Sequence, residues 1–266
     1  MSLRIYAFAY LIFLYAPILL LPLFAFNDAT VIAFPLSGFT TDWFARLAET
    51  RALHDAVRNS LFIAVMTALF STILGVCAAR AGAMSHFPGK RGIMGLIMIP
   101  LVLPEIIVAV ALLVVMVQVL GLGLSNWTII FAHTLICTPF SVAILNGAFQ
   151  NLDPAMEEAA LDLGETRWSA FRLVILPLVT PGIVSSLLIS FTISLDEFII
   201  AFFLTGANPT MPVYIWSLLR FPASVPVVMA LGTILVALSV LLLTIAEIFR
   251  RRGLARAGVK DTGGFL

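Results

Sequence analysis

Charge is what this sequence has least of. Asp, Glu, Lys and Arg make up 11% of its 266 residues, against roughly a quarter in a soluble globular domain. Hydrophobic residues make up 61%, and mean hydropathy is +1.10. A water-soluble fold is excluded, and the chain reads as an integral membrane protein. Cysteine is almost missing: Cys77 and Cys137 both fall inside apolar stretches, which points to buried thiols rather than a disulfide framework or a metal site. The three histidines, His54, His86 and His133, have no metal-ligand spacing, and no nucleophile sits beside a base. No cofactor, no metal and no catalytic centre are expected. Gly89-Lys90 is not a phosphate loop, because that motif needs Gly at the position of Met84 and Ser or Thr at the position of Arg91. The chain therefore does not hydrolyse ATP itself. Internal repeats and low-complexity tracts are also lacking. The net charge of +1 says nothing by itself about partners, and no nucleic acid is expected.

What the sequence has in abundance is long apolar runs. Spanning a hydrocarbon core of about 30 Å takes about 20 helical residues. Such runs lie at roughly 5–26, 57–79, 93–117, 128–150, 181–204 and 224–249. They are continuous rather than alternating, so helices, not a closed barrel, satisfy the backbone in lipid. The expectation is an all-α membrane protein, a six-helix bundle forming one transmembrane domain over 1–266. The first run is longer than the 7–15 apolar residues of a secretory signal and reads as a retained helix.

Six spans put both termini on one side of the membrane. Eleven Lys and Arg residues fall on that side (Arg4, Arg80, Lys90, Arg91, Arg167, Arg172, Arg250, Arg251, Arg252, Arg256 and Lys260), and four on the other (Arg46, Arg51, Arg58 and Arg220). The bias makes the termini and the 151–180 loop cytoplasmic. On the outer side, the connection from Asn27 to Arg58 should hold short interfacial helices. A second outer segment, Gly206 to Pro222, rich in Pro and aromatics, suits an interfacial or re-entrant stretch.

Ionisable groups inside spans are costly and mark pathways or partners. Glu105 follows Pro100 and Pro104, which remove backbone donors and open the helix. Asp196 and Glu197 lie in the fifth run. Ser186, Ser190, Ser194 and Glu197 follow 4, 4, 3 spacing beside a second stripe of Ser185, Thr192 and Asp196, so this polar band should meet protein or water. One reading makes Glu105, Asp196, Glu197, Ser190 and Ser194 the wall of a path for a cationic solute. The other makes them interhelical glue, the acids pairing with Arg58, Arg220 or a second subunit. As neighbours on a helix, Asp196 and Glu197 would point about 100° apart. Glu247, one turn before Arg250 to Arg252, snorkels toward them, and His133 is expected to hydrogen-bond a neighbouring helix rather than relay protons.

The most informative stretch is MEEAALDLGETRWSAFRLVILP, ending at Pro177. Ala159 and Ala160 share a helical surface beside Glu157 and Glu158. Gly164 then reads as a helix stop, followed by a second amphipathic piece closed by Pro177. This is a helix-turn-helix suited to a partner's groove. Its spacing resembles the EAA loop of ABC importer permeases: Glu158-Ala159-Ala160, three residues, Gly164, nine residues, then Val174, one residue, Leu176 and Pro177. YAPILLLPLFAFN, RNSLFIAV, PLVLPEIIVA and SFTISLDEFIIAFFLTG extend the resemblance to the spermidine/putrescine branch of that family.

The resemblance implies a permease subunit with a type I importer bundle in a bacterial inner membrane. Its implied partners are two cytoplasmic ATPase subunits, a second permease subunit and a periplasmic solute-binding protein. It further implies that Glu158, Ala159, Ala160, Gly164, Leu176 and Pro177 couple to the ATPase, that Glu105, Asp196 and Glu197 line a polyamine path, and that alternating access moves the solute inward. Asp-Glu at 196–197 stands where such permeases often carry two aspartates, leaving open another small organic solute, such as an amino-acid derivative. The competing class is a proton-coupled secondary carrier using Asp196, Glu197 and His133, which leaves the loop unexplained.

Overall fold

A computed structural model describes residues 2–84 and 88–256. His86 and Lys260, and the side chains of Glu247, Arg250, Arg251, Arg252 and Arg256, lie outside the described residues. The described chain is helical, with one isolated bridge between Asn27 and Phe39. Five helices are long and apolar enough to cross a membrane, and counting one bent pair as a single crossing gives six.

The chain divides into two compact units. In the first, α1 (Ser2–Ala25) and α2 (Asp42–Glu49) pack against α12 (Val225–Arg256). Trp43, buried on α2, donates its indole N–H to the carbonyl of Asn27 at 2.8 Å, fixing this short helix against the end of α1. Much of α1 is bare, with Leu3 82% and Phe13 80% exposed, as an apolar helix in lipid can be.

The second unit holds α3 (Arg51–Met84), α4 (Lys90–Met98), α5 (Glu105–Leu113), α6 (Asn126–Gln150), α7 (Ala155–Asp162), α8 (Arg167–Ala170), α9 (Leu176–Asp196) and α10 (Ile199–Leu204). Its core is Ile63, Ile129, Ile130, Ile200 and Leu204 at one end and Leu145, Phe149, Ile175 and Val179 at the other. α6 and α9 pack closely because Gly182 leaves room: a Cβ there would lie 2.7 Å from that of Ala148. Three polar pairs along one stripe of α9 tie it to its neighbours, the first to α3 and the other two to α6. Ser186 meets Thr72 at 3.0 Å, Ser190 meets Ser141 at 2.9 Å, and Ser194 meets Nδ1 of His133 at 2.8 Å. Such interhelical bonds average about 0.6 kcal/mol in membranes, so their weight lies in fixing register. α11 (Met211–Leu219) and a 3-10 turn at Pro222–Ser224 lie in and just past the 206–222 segment.

Two of the expected spans are broken. The third, read as continuous over 93–117, is a helix pair, Lys90–Leu101 and Glu105–Val119, bent by 99°. Pro104 takes φ −58 and ψ 129, outside the helical region, and its ring could not have continued the ladder. The fifth, read over 181–204, starts earlier and stops at Asp196. Glu197 is extended at ψ 121, and α10 begins afresh at Ile199. Asp196 and Glu197 are therefore not successive positions of one helix. The second span also begins earlier than expected, at Arg51, so the connection expected to run from Asn27 to Arg58 ends before Arg58.

Candidate functional site

Both helix breaks open onto the same space. A cavity of about 850 Å³ lies between them, with Glu105, Asp196 and Glu197 in its lining together with apolar Ile136, Phe140 and Ile193. Glu105 opens α5, where the helix dipole favours a carboxylate, and it is exposed. Asp196 ends α9 and is exposed as well. Among the described residues, neither carboxylate has a hydrogen-bond or ion-pair partner.

Glu197 differs. It is 8% exposed, and its two oxygens accept the backbone N–H groups of Ile200 at 2.9 Å and Ala201 at 3.0 Å. These are donors that the first turn of a helix otherwise leaves without partners. Oε2 also lies 3.2 Å from Nε2 of His133, an ion-pair distance without the alignment of a full hydrogen bond. The neighbouring-helix contact expected of His133 is present, through Ser194. Ser190 and Ser194 do not line the cavity: they are buried in the hydroxyl ladder. Ser185 and Thr192, on the other stripe, are exposed and bond back to Pro181 and Leu188 of their own helix at 2.9 Å. The polar band thus splits into a packed stripe and a free one.

The 151–180 loop presents a second surface. α7 ends in a Schellman turn: Gly164 N–H bonds Leu161 O at 3.0 Å, Glu165 N–H bonds Ala160 O at 3.1 Å, and Gly164 has φ +91. Glu158 and Ala159 face out while Ala160 is buried at 7%. Beside them Leu163 is 87% and Trp168 70% exposed. Glu157 turns inward instead, pairing with Arg80 at 3.0 Å, and that guanidinium lies 4.3 Å from the Phe171 ring centroid. The expected closing of the second piece at Pro177 is not found. The helix runs from Arg167 into α9, and a π-helical turn at Phe171–Ile175 absorbs the donor that Pro177 lacks. Leu176 packs on the lower core, and Pro177 is exposed.

Sequence reading missed Arg80, Trp168, Leu163 and the clamp on Glu197. Trp168 and Leu163 carried a signal, large apolar residues among charges in a loop. Arg80 carried none, since its partner is 77 residues away.

Apolar helices, a carboxylate-lined cavity at two helix breaks and an exposed loop helix define an integral-membrane transport protein. The chain matches the family of binding-protein-dependent transport system inner membrane components over residues 71–253. It is 34% identical over 253 residues to the spermidine/putrescine transport system permease protein PotC of Shigella flexneri, covering 95% of this chain and 93% of that one. It is equally 34% identical over 230 residues to the putrescine transport system permease protein PotI of Escherichia coli K12, covering 84% and 81%. A bacterial ABC transporter involved in the import of the acidic polysaccharide alginate shares the fold, with TM-score 0.73 and 16% identity over 91% of this chain and 94% of that one. The chain belongs to this family: it is a multi-pass inner-membrane permease subunit of the ABC importer kind.

Proposed function

We propose that this chain carries a polyamine, spermidine or putrescine, from periplasm to cytoplasm as one half of an importer core. The cavity with Glu105 and Asp196 unpaired is the observation that supports this reading most. Carboxylates separated by Ile and Phe walls suit a solute that alternates ammonium groups with methylene chain, because charge meets charge where water is scarce and CH₂ groups meet apolar surface. The polyamine transport named for PotC and PotI points the same way. The fold alone does not choose the charge of the solute, since the alginate importer shares it.

The remaining assignments follow from this reading. Both termini face the cytoplasm and the whole chain works as one permease domain beside a second permease subunit. A periplasmic binding protein delivers the solute, and two ATPase subunits drive alternating access. Glu158, Ala159 and Gly164, with Leu163 and Trp168, form the surface that seats in the ATPase, and Ala160, Leu176 and Pro177 join that surface to α9. Ser190 and Ser194 hold the bundle rather than the solute.

The test is ATP hydrolysis by the complete reconstituted complex. Polyamine-loaded binding protein should raise the rate several-fold over empty binding protein. Stimulation by an anionic or neutral solute, and none by polyamines, would overturn the reading. Uptake by this chain alone on a proton gradient would favour a secondary carrier.

A further inference from the structure

Three acidic side chains line the cavity, yet only two are free to meet a solute. We infer that Glu197 is a positioning residue. It clamps the break between α9 and α10 and so holds Asp196 on the wall of the cavity that Glu105 also lines, without contacting solute itself. This rests on the proposed transport reading for its uptake assay, but not for its geometric one.

A carboxylate offers about four lone-pair directions. In Glu197, Oε1 takes the Ile200 N–H at 2.9 Å and Oε2 takes the Ala201 N–H at 3.0 Å, while His133 Nε2 lies 3.2 Å from Oε2 at ion-pair distance. His133, fully buried, is held from behind by Ser194 at 2.8 Å. α6, α9 and α10 thus meet at one carboxylate. At the same place the backbone leaves α9 at ψ 121 and restarts two residues later. An unclamped break at that point would leave two buried donors of α10 without partners, and the chain would relieve them by moving. Asp196 is the residue such movement would carry with it. It neighbours the break, lines the cavity and has no partner of its own among the described residues. The clamp therefore acts on the solute path through Asp196.

Geometry and charge separate by substitution. Glu197→Gln keeps one oxygen acceptor of the same length, enough for one of the two α10 N–H groups, and loses the charge. Glu197→Ala loses both. If Glu197 positions, Gln should retain at least about a third of the uptake rate, while Ala should lose about tenfold or more. The geometric readout uses Asp196→Cys in a chain with Cys77 and Cys137 replaced by Ser, assembled with its partner subunits. The rate at which a cationic reagent modifies the introduced thiol, without any solute, is compared with Glu, Gln or Ala at 197. Ala should shift that rate at least about threefold, and Gln less.

Uptake kept in Gln and lost in Ala, with the thiol's modification rate shifted only in Ala, supports the inference, as does loss of uptake in Gln accompanied by a shifted modification rate. Loss of uptake in Gln with that rate unchanged would make Glu197 a charged ligand and overturn it, and so would normal uptake in Ala. Should Ala not reach the membrane, the Gln comparison decides alone. If wild type shows no polyamine uptake, the transport reading fails, while the modification rates still test the clamp.

Discussion

Gly164 offers the sharpest perturbation of the loop, because its cost can be worked term by term. It sits at φ +91 at the end of α7 and closes the turn with its own N–H. A Cβ added there meets nothing within 4 Å, so Gly164→Ala costs only the left-handed backbone, about 1–2 kcal/mol. That corresponds to a shift of roughly 5- to 30-fold in the population of the native turn. Gly164→Pro does more. A ring that fixes φ near −65° cannot reach +91, and the bond to Leu161 O loses its donor, for roughly 3 kcal/mol or more. Neither change touches an apolar span, so both variants should insert at wild-type level by immunoblot of membranes. In an uptake assay the proline variant should be inactive and the alanine variant intermediate, with retention of the ATPase subunits on purification falling in the same order. Normal uptake by an inserted Gly164→Pro chain would refute the assignment of this loop to coupling.

Three further outcomes are expected. Arg80→Gln removes a partly exposed ion pair and a cation–π contact, each about 1 kcal/mol or less. It should lower the uptake obtained per ATP hydrolysed by roughly 2- to 5-fold without lowering membrane yield, and unchanged coupling would show that the α3–α7 link is idle. Gly182→Val forces a Cβ to within 2.7 Å of the Ala148 Cβ, an overpacking of about 1–3 kcal/mol. It should lower the melting temperature of the purified chain, and an unchanged melting temperature would mean that α6 and α9 do not pack as closely as described. Trp168→Ala, at a residue 70% exposed, should leave folding intact but weaken ATPase retention about tenfold or more, as a buried aromatic anchor does on truncation; full retention would move the docking surface elsewhere.

Much of this architecture was legible in the sequence because lipid imposes a single rule on the backbone. Five of the six runs correspond to long helices in or around the expected positions, and Gly164 stops α7 because only a left-handed turn lets Glu165 reach back to Ala160. Periodicity could also find the stripe of Ser186, Ser190 and Ser194. What it could not find was the break at Glu197. SLDEFIIAFF is apolar enough to continue as helix, and the stop depends on a side chain reaching forward to Ile200 and Ala201 while His133 approaches from α6. The two N–H contacts are local, three and four residues on, but Glu is not among the usual capping residues, and the approach of His133 from α6 is tertiary, with no trace in local propensity. The same limit hid the pairing of Arg80 with Glu157. The prolines at 100 and 104 announced an opening in the third run, but not a bend of 99°.

The central claim, a cationic path through unpaired carboxylates, is tested most directly by uptake of labelled putrescine and spermidine into vesicles holding the complete complex. Wild type is compared with Glu105→Gln and Asp196→Asn, the latter two checked for insertion and for basal ATP hydrolysis. An ammonium about 4 Å from a carboxylate gains about 4 kcal/mol at an effective dielectric of 20, before desolvation. Each neutralisation should therefore cut polyamine uptake at least tenfold while basal hydrolysis persists. Wild-type polyamine uptake in both neutralised variants would contradict the account.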